Sequence, residues 1–177
     1  LSNEYVPKAY LNTLIYTVAG TLVSVGMTAL CAYPLSRKEF YGRGIFTGIV
    51  VFTMFFDAGI ISNYMVVQSA GLMNSIWAII LPGAINVWYM IIMRTFFKQF
   101  PAEIEEAAMI DGCGHFRMLF RIVLPASKAV LATLGLFYAV TMWNQYQHPV
   151  MFIQDLNLTV YQGEVLGIGG LVGSKRT

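Results

Sequence analysis

The residue types that perform acid–base, nucleophilic or metal chemistry are few in this chain and are scattered along it. The two histidines, His115 and His148, are far apart, and there is no H-E-x-x-H motif. The two cysteines, Cys31 and Cys113, are too few for a disulfide framework or a multi-cysteine metal site. We therefore expect no catalytic residue, no metal site and no cofactor, and a membrane-embedded enzyme is disfavoured because no acid–base or nucleophile pair converges.

Phosphate-binding loops are also absent from the sequence. No G-x-x-x-x-G-K-[ST] motif occurs, and the glycine-rich stretch 167–173 misses G-x-G-x-x-G by one position. That stretch also follows no strand pattern, which favours a flexible loop. We expect no nucleotide site in this chain.

Asp57 is an acidic residue near one end of a long apolar stretch. A carboxylate at the centre of a membrane costs about 2.5–3.5 kcal/mol on insertion scales, so such a residue is a candidate functional site. One interpretation is the proton or cation site of a secondary transporter. The other is a position close to the outer interface, because Gly59 and Ser62 indicate that the helix is ending there.

A second group of polar side chains lies near the end of the last apolar stretch. Tyr138, Thr141, Gln145 and His148 recur at intervals of three, four and three residues, with Asn144 beside them. Polar side chains that face a bundle interior tend to mark a substrate path. We assign Tyr138, Thr141, Asn144 and Gln145 to such a path; the alternative is a hydrogen-bonded helix contact with interfacial anchoring.

The elements that must position these residues follow from composition. Of the 177 residues, 57% are hydrophobic and 11% are charged, and the mean hydropathy is +0.64. Soluble domains carry about 25% charged residues, so a soluble enzyme and a disordered chain are both excluded. The net charge of +2 is too small to indicate nucleic-acid binding. The composition indicates an integral membrane protein.

Four apolar stretches approach the roughly 20 residues that a membrane-crossing helix needs. They are residues 11–33, 44–61, 76–97 and 125–146. Basic residues concentrate in the first and third links between them, and the link 62–75 holds none. By the positive-inside rule the two basic links face the cytoplasm, and the two ends of the chain face outside. The basic residues are Arg37, Lys38 and Arg43 in the first link, and Arg94, Lys98, Arg117, Arg121 and Lys128 in and around the third.

The first apolar stretch carries a stripe of small hydroxyl side chains. Thr13, Thr17, Thr21, Ser24 and Thr28 follow at steps of four, four, three and four, which places them on one helix face. Small polar residues let helices approach closely and bond across the contact. A pore-lining face is the other interpretation.

The third link, residues 99–124, is the most informative segment of the chain. Pro101 is suited to the first helical position, and glutamates crowd the first turns, where the helix dipole favours anions. Asp111-Gly112 predicts a turn with Gly112 in a left-handed conformation. The predicted apolar faces are Ile104, Ala107 and Ala108 before the turn, and Phe116, Leu119, Phe120 and Val123 after it. The pattern indicates a helix–turn–helix that docks another protein at the cytoplasmic surface.

Three groups in this segment, Glu106-Ala107-Ala108, Asp111-Gly112 and Ile122-Val123-Leu124-Pro125, have a characteristic spacing. They resemble the EAA motif of the membrane permease subunits of binding-protein-dependent (type I) ABC importers. The sequence around them, including Arg94-Thr95-Phe96-Phe97 and Trp143-Asn144, is similar to carbohydrate-uptake permeases of the MalG-like and LplC–YtcP-like family.

The resemblance implies an all-α membrane protein, a polytopic transmembrane helix bundle of the ABC transmembrane type-1 fold. Residues 1–177 would be a single, incomplete domain with about four of six expected spans, without the first and the last. Residues 99–124 would form the cytoplasmic EAA loop, and its coupling helix would dock an ATPase through Glu106, Ala107, Ala108, Asp111 and Gly112.

The resemblance further implies a transport subunit rather than an enzyme, located in the bacterial cytoplasmic (inner) membrane. It would form half of the translocation pore of an ATP-driven oligosaccharide importer. Its partners would be a second permease subunit, cytoplasmic ATP-binding subunits and an extracellular or periplasmic solute-binding protein, with no nucleic acid. An importer of the same architecture for another solute and an ion-coupled secondary transporter built around Asp57 are the alternatives.

Overall fold

The computed structural model describes residues 5–56, 59–145 and 147–152, and all regular structure in these ranges is helical. The helices are α1 (Tyr5–Ser36), α2 (Arg43–Thr53), α3 (Gly59–Ser69), α4 (Ile76–Ile80), α5 (Val87–Lys98), α6 (Ala102–Ile110), α7 (His115–Met118), α8 (Leu124–Ala126), α9 (Lys128–Trp143) and α10 (Gln147–Phe152). A 3₁₀ turn, Leu81–Gly83, follows α4, and a π-helical turn, Leu119–Val123, joins α7 to α8.

Helix α1 is a single helix of 32 residues that extends beyond the predicted 11–33 at both ends. Its interior carries no charged residue from Leu11 to Ser36, and its one internal proline, Pro34, lies in the last turn. The part from Tyr10 to Ser36 is long and apolar enough to cross a membrane.

The second predicted stretch, 44–61, is not one continuous helix. Helix α2 ends at Thr53, and α3 begins at Gly59. Gly59, the first residue of α3, has a φ of 75°, in the left-handed region, so a right-handed helix does not continue through it. Asp57 lies outside the described residues.

The third and fourth stretches each include a sharp bend. Helices α4 and α5 meet at 60°, and the helix formed by α7, the π turn and α8 meets α9 at 85°. Asn86 starts α5 anew, because its side-chain oxygen accepts the N–H groups of Trp88 and Tyr89 at 3.0 and 3.3 Å. In the fourth stretch, Ser127 breaks the helix with φ −100° and ψ 22°. The long helix of that stretch, α9, therefore begins at Lys128 rather than at Pro125. Within the described ranges one helix is long enough to span a membrane, or up to three if each bent pair counts as one span.

The core lies where α1 packs against α5 and α9. Ser24 and Thr28 are fully buried in this core, and Thr28 Oγ1 lies 2.7 Å from the hydroxyl of Tyr138 on α9. A Cβ at Gly20 would lie 3.0 Å from the sulfur of Met142, so the two helices approach closely there. These three positions of α1 therefore serve helix packing, and two of them, Ser24 and Thr28, belong to the hydroxyl stripe.

Candidate functional site

Helix α6 begins one residue later than the sequence indicated. Pro101 has φ −59° and ψ 127°, so it is the residue before the helix rather than its first member. Glu103 and Glu105 lie in the first turn, where unpaired backbone N–H groups favour negative charge. The glutamates thus support a helix that is only nine residues long.

The end of α6 is a Schellman motif centred on Gly112. The Gly112 N–H donates to the Met109 carbonyl at 3.0 Å, and the Cys113 N–H donates to the Ala108 carbonyl at 2.9 Å. Gly112 has a φ of 75°, which confirms the predicted left-handed turn. The motif fixes the direction in which the chain leaves the helix.

Only one narrow face of α6 is buried. Glu105 and Ala108 are 7% and 8% exposed, respectively, whereas Glu106, Ala107 and Ile104 are exposed. The buried stripe is turned toward Glu105, so Ile104 and Ala107 of the predicted contact face remain accessible, and their contact with a partner stays a prediction. The turn residues Asp111 and Gly112 are exposed as well.

The helix after the turn buries part of its predicted apolar side. Leu119 and Val123 are buried together with Met118, but Phe116 and Phe120 are 75% and 57% exposed. Ile110, at the end of α6, is 86% exposed. Large apolar side chains are therefore exposed both before and after the turn.

A hollow of about 400 Å³ opens between the end of α1 and α7. Tyr33 and Arg37 line it from one side, and His115 and Phe116 line it from the other. The surface around α6 thus combines exposed carboxylates, exposed apolar side chains and a concave region. Such a surface suits protein docking rather than catalysis.

Sequence reasoning missed the residue that anchors α6 to the bundle. Arg37, directly after α1, forms an ion pair with Glu105, and its guanidinium lies 4.6 Å from the centre of the Tyr33 ring. Burial lowers the pKa of Arg37 from its usual value, while Tyr33 and Glu39 act in the opposite direction, and the side chain remains charged at neutral pH. In the sequence, a basic residue directly after an apolar stretch indicates membrane orientation, and nothing there indicates a pairing with Glu105.

The four residues assigned to a substrate path do not share one pocket. Tyr138 is buried, and its hydroxyl contacts Thr28 and accepts the Asn86 N–H at 3.0 Å, which is the helix-contact arrangement. Thr141 is exposed and donates to the carbonyl four residues before it at 2.8 Å. Asn144 lines a shallow cavity of about 250 Å³ with Thr17, Ala139, Val140 and Trp143. Gln145 is half-buried and contacts the ring of His148.

Within the described residues, no group of three or more histidines, cysteines, aspartates or glutamates could hold a metal ion. The described ranges form a bundle of apolar helices with the short, largely exposed helix α6 at its surface, which places the chain in the class of helical membrane proteins.

This class is identified by comparison with known proteins. The family model described as "Binding-protein-dependent transport system inner membrane component" matches residues 10–165. The chain therefore belongs to this family, and it has the ABC transmembrane type-1 fold.

Similar proteins support the same family. The chain is 45% identical over 154 residues to the polygalacturonan/rhamnogalacturonan transport system permease protein YtcP of Bacillus subtilis (strain 168), which covers 87% of this chain and 54% of that protein. It is 46% identical over 143 residues to protein LplC of the same organism, which covers 81% of this chain and 48% of that protein. The chain thus spans about half the length of the curated relatives it matches.

A solved structure is also similar. It is the crystal structure of a bacterial ABC transporter involved in the import of the acidic polysaccharide alginate. The TM-score is 0.82 at 33% sequence identity, and the match covers 86% of this chain and 55% of the other.

Proposed function

We propose that this chain contributes to the pore of an ATP-driven carbohydrate importer and docks a cytoplasmic ATPase subunit through α6. The observation that carries the proposal is the arrangement of α6 within a chain of this family. The helix is held at Glu105 and Ala108, while Glu106, Ala107, Asp111 and Gly112 remain exposed on the other side. A helix held on one face and open on the other is suited to insertion into a cleft of a partner.

The exposed side chains of α6 and its neighbours indicate which partner surface would be complementary. Glu106 offers a carboxylate, and no side chain of the described residues is in ion-pair contact with it. Ala107 is small, so a partner backbone can approach the helix closely. The exposed Ile110, Phe116 and Phe120 add apolar area around that point. The complementary surface is a cleft with a basic residue at its base and apolar walls.

The wider assembly follows from family membership. A family component of binding-protein-dependent transport functions with a second permease subunit, ATP-binding subunits and a solute-binding protein on the outer side. We propose that the chain lies in the cytoplasmic membrane of a bacterium with α6 on the cytoplasmic side, and the basic links support this orientation. The ATPase chemistry belongs to the partner, and this chain is not itself an enzyme.

A carbohydrate is the solute class supported by the named relatives. YtcP is named for polygalacturonan and rhamnogalacturonan transport, and the similar solved transporter imports alginate. Both names describe polysaccharides. We propose an oligosaccharide substrate that passes Thr141, Asn144 and Gln145 at the outer end of α9, with Tyr138 holding α9 against α1 and α5.

The docking proposal is tested by reversing charge on α6 in the full-length subunit assembled with its partners. Glu106→Lys should reduce the amount of ATPase subunit that copurifies with the permease, and the loss should change with salt because an exposed charge contact is screened. Glu103→Lys is the matched control, since Glu103 is an exposed glutamate one turn earlier on the same helix. Equal ATPase recovery for Glu106→Lys and the parent would contradict the docking role.

A further inference from the structure

Helix α6 has few attachments to the rest of the molecule. Among the described helices it packs extensively against none, and its buried residues are Glu105 and Ala108. Any movement imposed on α6 must therefore reach the bundle through these two residues or through the chain at its two ends. Ala108 offers a single methyl group, so Glu105 is the principal side-chain contact.

Glu105 is paired with the residue that directly follows α1. Its carboxylate contacts Arg37, which follows Ser36, the last residue of α1. The Arg37 and Glu105 side chains are 11% and 9% exposed, respectively. Such a pair is screened far less than a surface pair, and removal of one partner leaves a buried charge without compensation.

Several other contacts converge on the same end of α1. The Tyr33 ring lies under the Arg37 guanidinium and meets the Phe97 ring of α5 edge-on at 6.4 Å. The Tyr33 hydroxyl donates to the sulfur of Met118 at 3.2 Å, which ties α7 to the same point. Arg94 of α5 donates to the carbonyl of Leu35 at 2.9 Å. Helices α5, α6 and α7 therefore all meet the last turn of α1.

We infer that Arg37 and Glu105 form a positioning pair that transmits the movement of α6 to α1. The inference rests on the proposed function, because it assumes that an ATPase moves α6. The exposed face of α6 receives the movement, and the Glu105 face passes it to Arg37. Tyr33 and Arg94 then make the end of α1 move with α5 and α7. Glu105 and its neighbour Glu106 consequently have different roles, one toward the bundle and one toward the partner.

The test uses the full-length subunit reconstituted with its partners in proteoliposomes. The single variants are Arg37→Met and Glu105→Gln, the charge swap is Arg37→Glu with Glu105→Arg, and the matched control is Glu103→Gln. Two quantities are measured, which are the ATPase subunit retained on purification and the solute taken up per ATP hydrolysed. The retained ATPase reports docking, whereas the uptake per ATP reports transmission.

We expect both single variants to retain the ATPase subunit. Their uptake per ATP should fall by a factor of about five or more, and a factor of five is the lower end of a typical coupling between sites. The Glu103→Gln control should match the parent, and the charge swap should recover most of the loss. A purely structural role would instead lower the amount of folded subunit and leave the uptake per ATP of the surviving molecules unchanged.

Other results would overturn the inference. Parental uptake per ATP in the folded single variants would show that the pair transmits nothing, and loss of the ATPase subunit from them would place the pair in docking. A charge swap that folds without recovering uptake per ATP would show that the pairing of the two charges does not transmit the movement. A parent complex that fails to retain the ATPase subunit would instead refute the proposed function, before any variant is compared.

Discussion

Gly112 offers a sharp test, because within this chain the effect of a side chain there is conformational. Its φ of 75° lies in the left-handed region, and a Cβ at this position would have no heavy atom within 4 Å. The Cβ that Gly112→Val introduces therefore meets no atom of the described residues. The substitution introduces the roughly 1–2 kcal/mol that a side chain costs in the left-handed conformation, with a β-branched residue toward the upper value.

The strain of Gly112→Val is large enough to affect transport. The strained turn carries the two Schellman hydrogen bonds of 2.9 and 3.0 Å that close α6. A destabilisation of 1–2 kcal/mol corresponds to a factor of about 5–30 in the population of a correctly closed helix end. A helix of nine residues has little stability of its own. We therefore expect Gly112→Val to lower solute uptake by the reconstituted transporter by a factor of about 5–30.

Two variants separate conformation from bulk. Gly112→Asn should retain most of the uptake, because asparagine enters the left-handed region more readily than valine does. Gly114→Val should behave like the parent, since Gly114 has φ −69° and ψ 158° and also lacks heavy atoms within 4 Å of a Cβ. Uptake and substrate-stimulated ATP hydrolysis are measured in parallel. Equal activity of Gly112→Val and Gly114→Val would refute the reasoning.

Three further outcomes are expected. Tyr138→Phe removes the contact with Thr28 and should lower the unfolding free energy of the full-length subunit by about 0.6–1.7 kcal/mol, the range of hydrogen bonds between membrane helices; an unchanged thermal midpoint would contradict the contact. Arg94→Met leaves a carbonyl in the last turn of α1 without its partner and should destabilise the subunit by about 1–3 kcal/mol in the same assay, whereas parental stability would show that the bond contributes nothing. In the full-length subunit with Cys31 replaced by serine, a membrane-impermeant thiol reagent should label Cys113 from the cytoplasmic side only, and labelling of intact cells from outside would reverse the proposed orientation.

The fold class, helix α6 and the turn after it could be predicted from the sequence because their signals are local. A low content of charge and long apolar stretches indicate membrane helices, and Asp111-Gly112 carries the turn in two adjacent residues. The left-handed conformation of Gly112 follows from its residue type and its place at the helix end. The EAA spacing then identified the family, which the comparison with known proteins confirmed.

The breaks and the pairings could not be predicted, because they depend on contacts distant in sequence. The break at Gly59 lies inside an apolar run that resembles one helix. The burial of Glu105 depends on Arg37, and Tyr138 depends on Thr28, which is 110 positions away. The sequence shows which side chains are polar and which share a helix face. Whether such a side chain has a hydrogen-bond or ion-pair partner depends on the helix packed against it.

The most direct measurement of the central claim is site-specific photo-cross-linking from α6 in the assembled transporter. A photo-reactive amino acid at position 106 should form an adduct with the ATPase subunit, because Glu106 is exposed on the open face of the helix. The same amino acid at position 144, at the other end of the bundle, should form none. An active transporter that gives no ATPase adduct from position 106, or that gives one from position 144, would contradict the account.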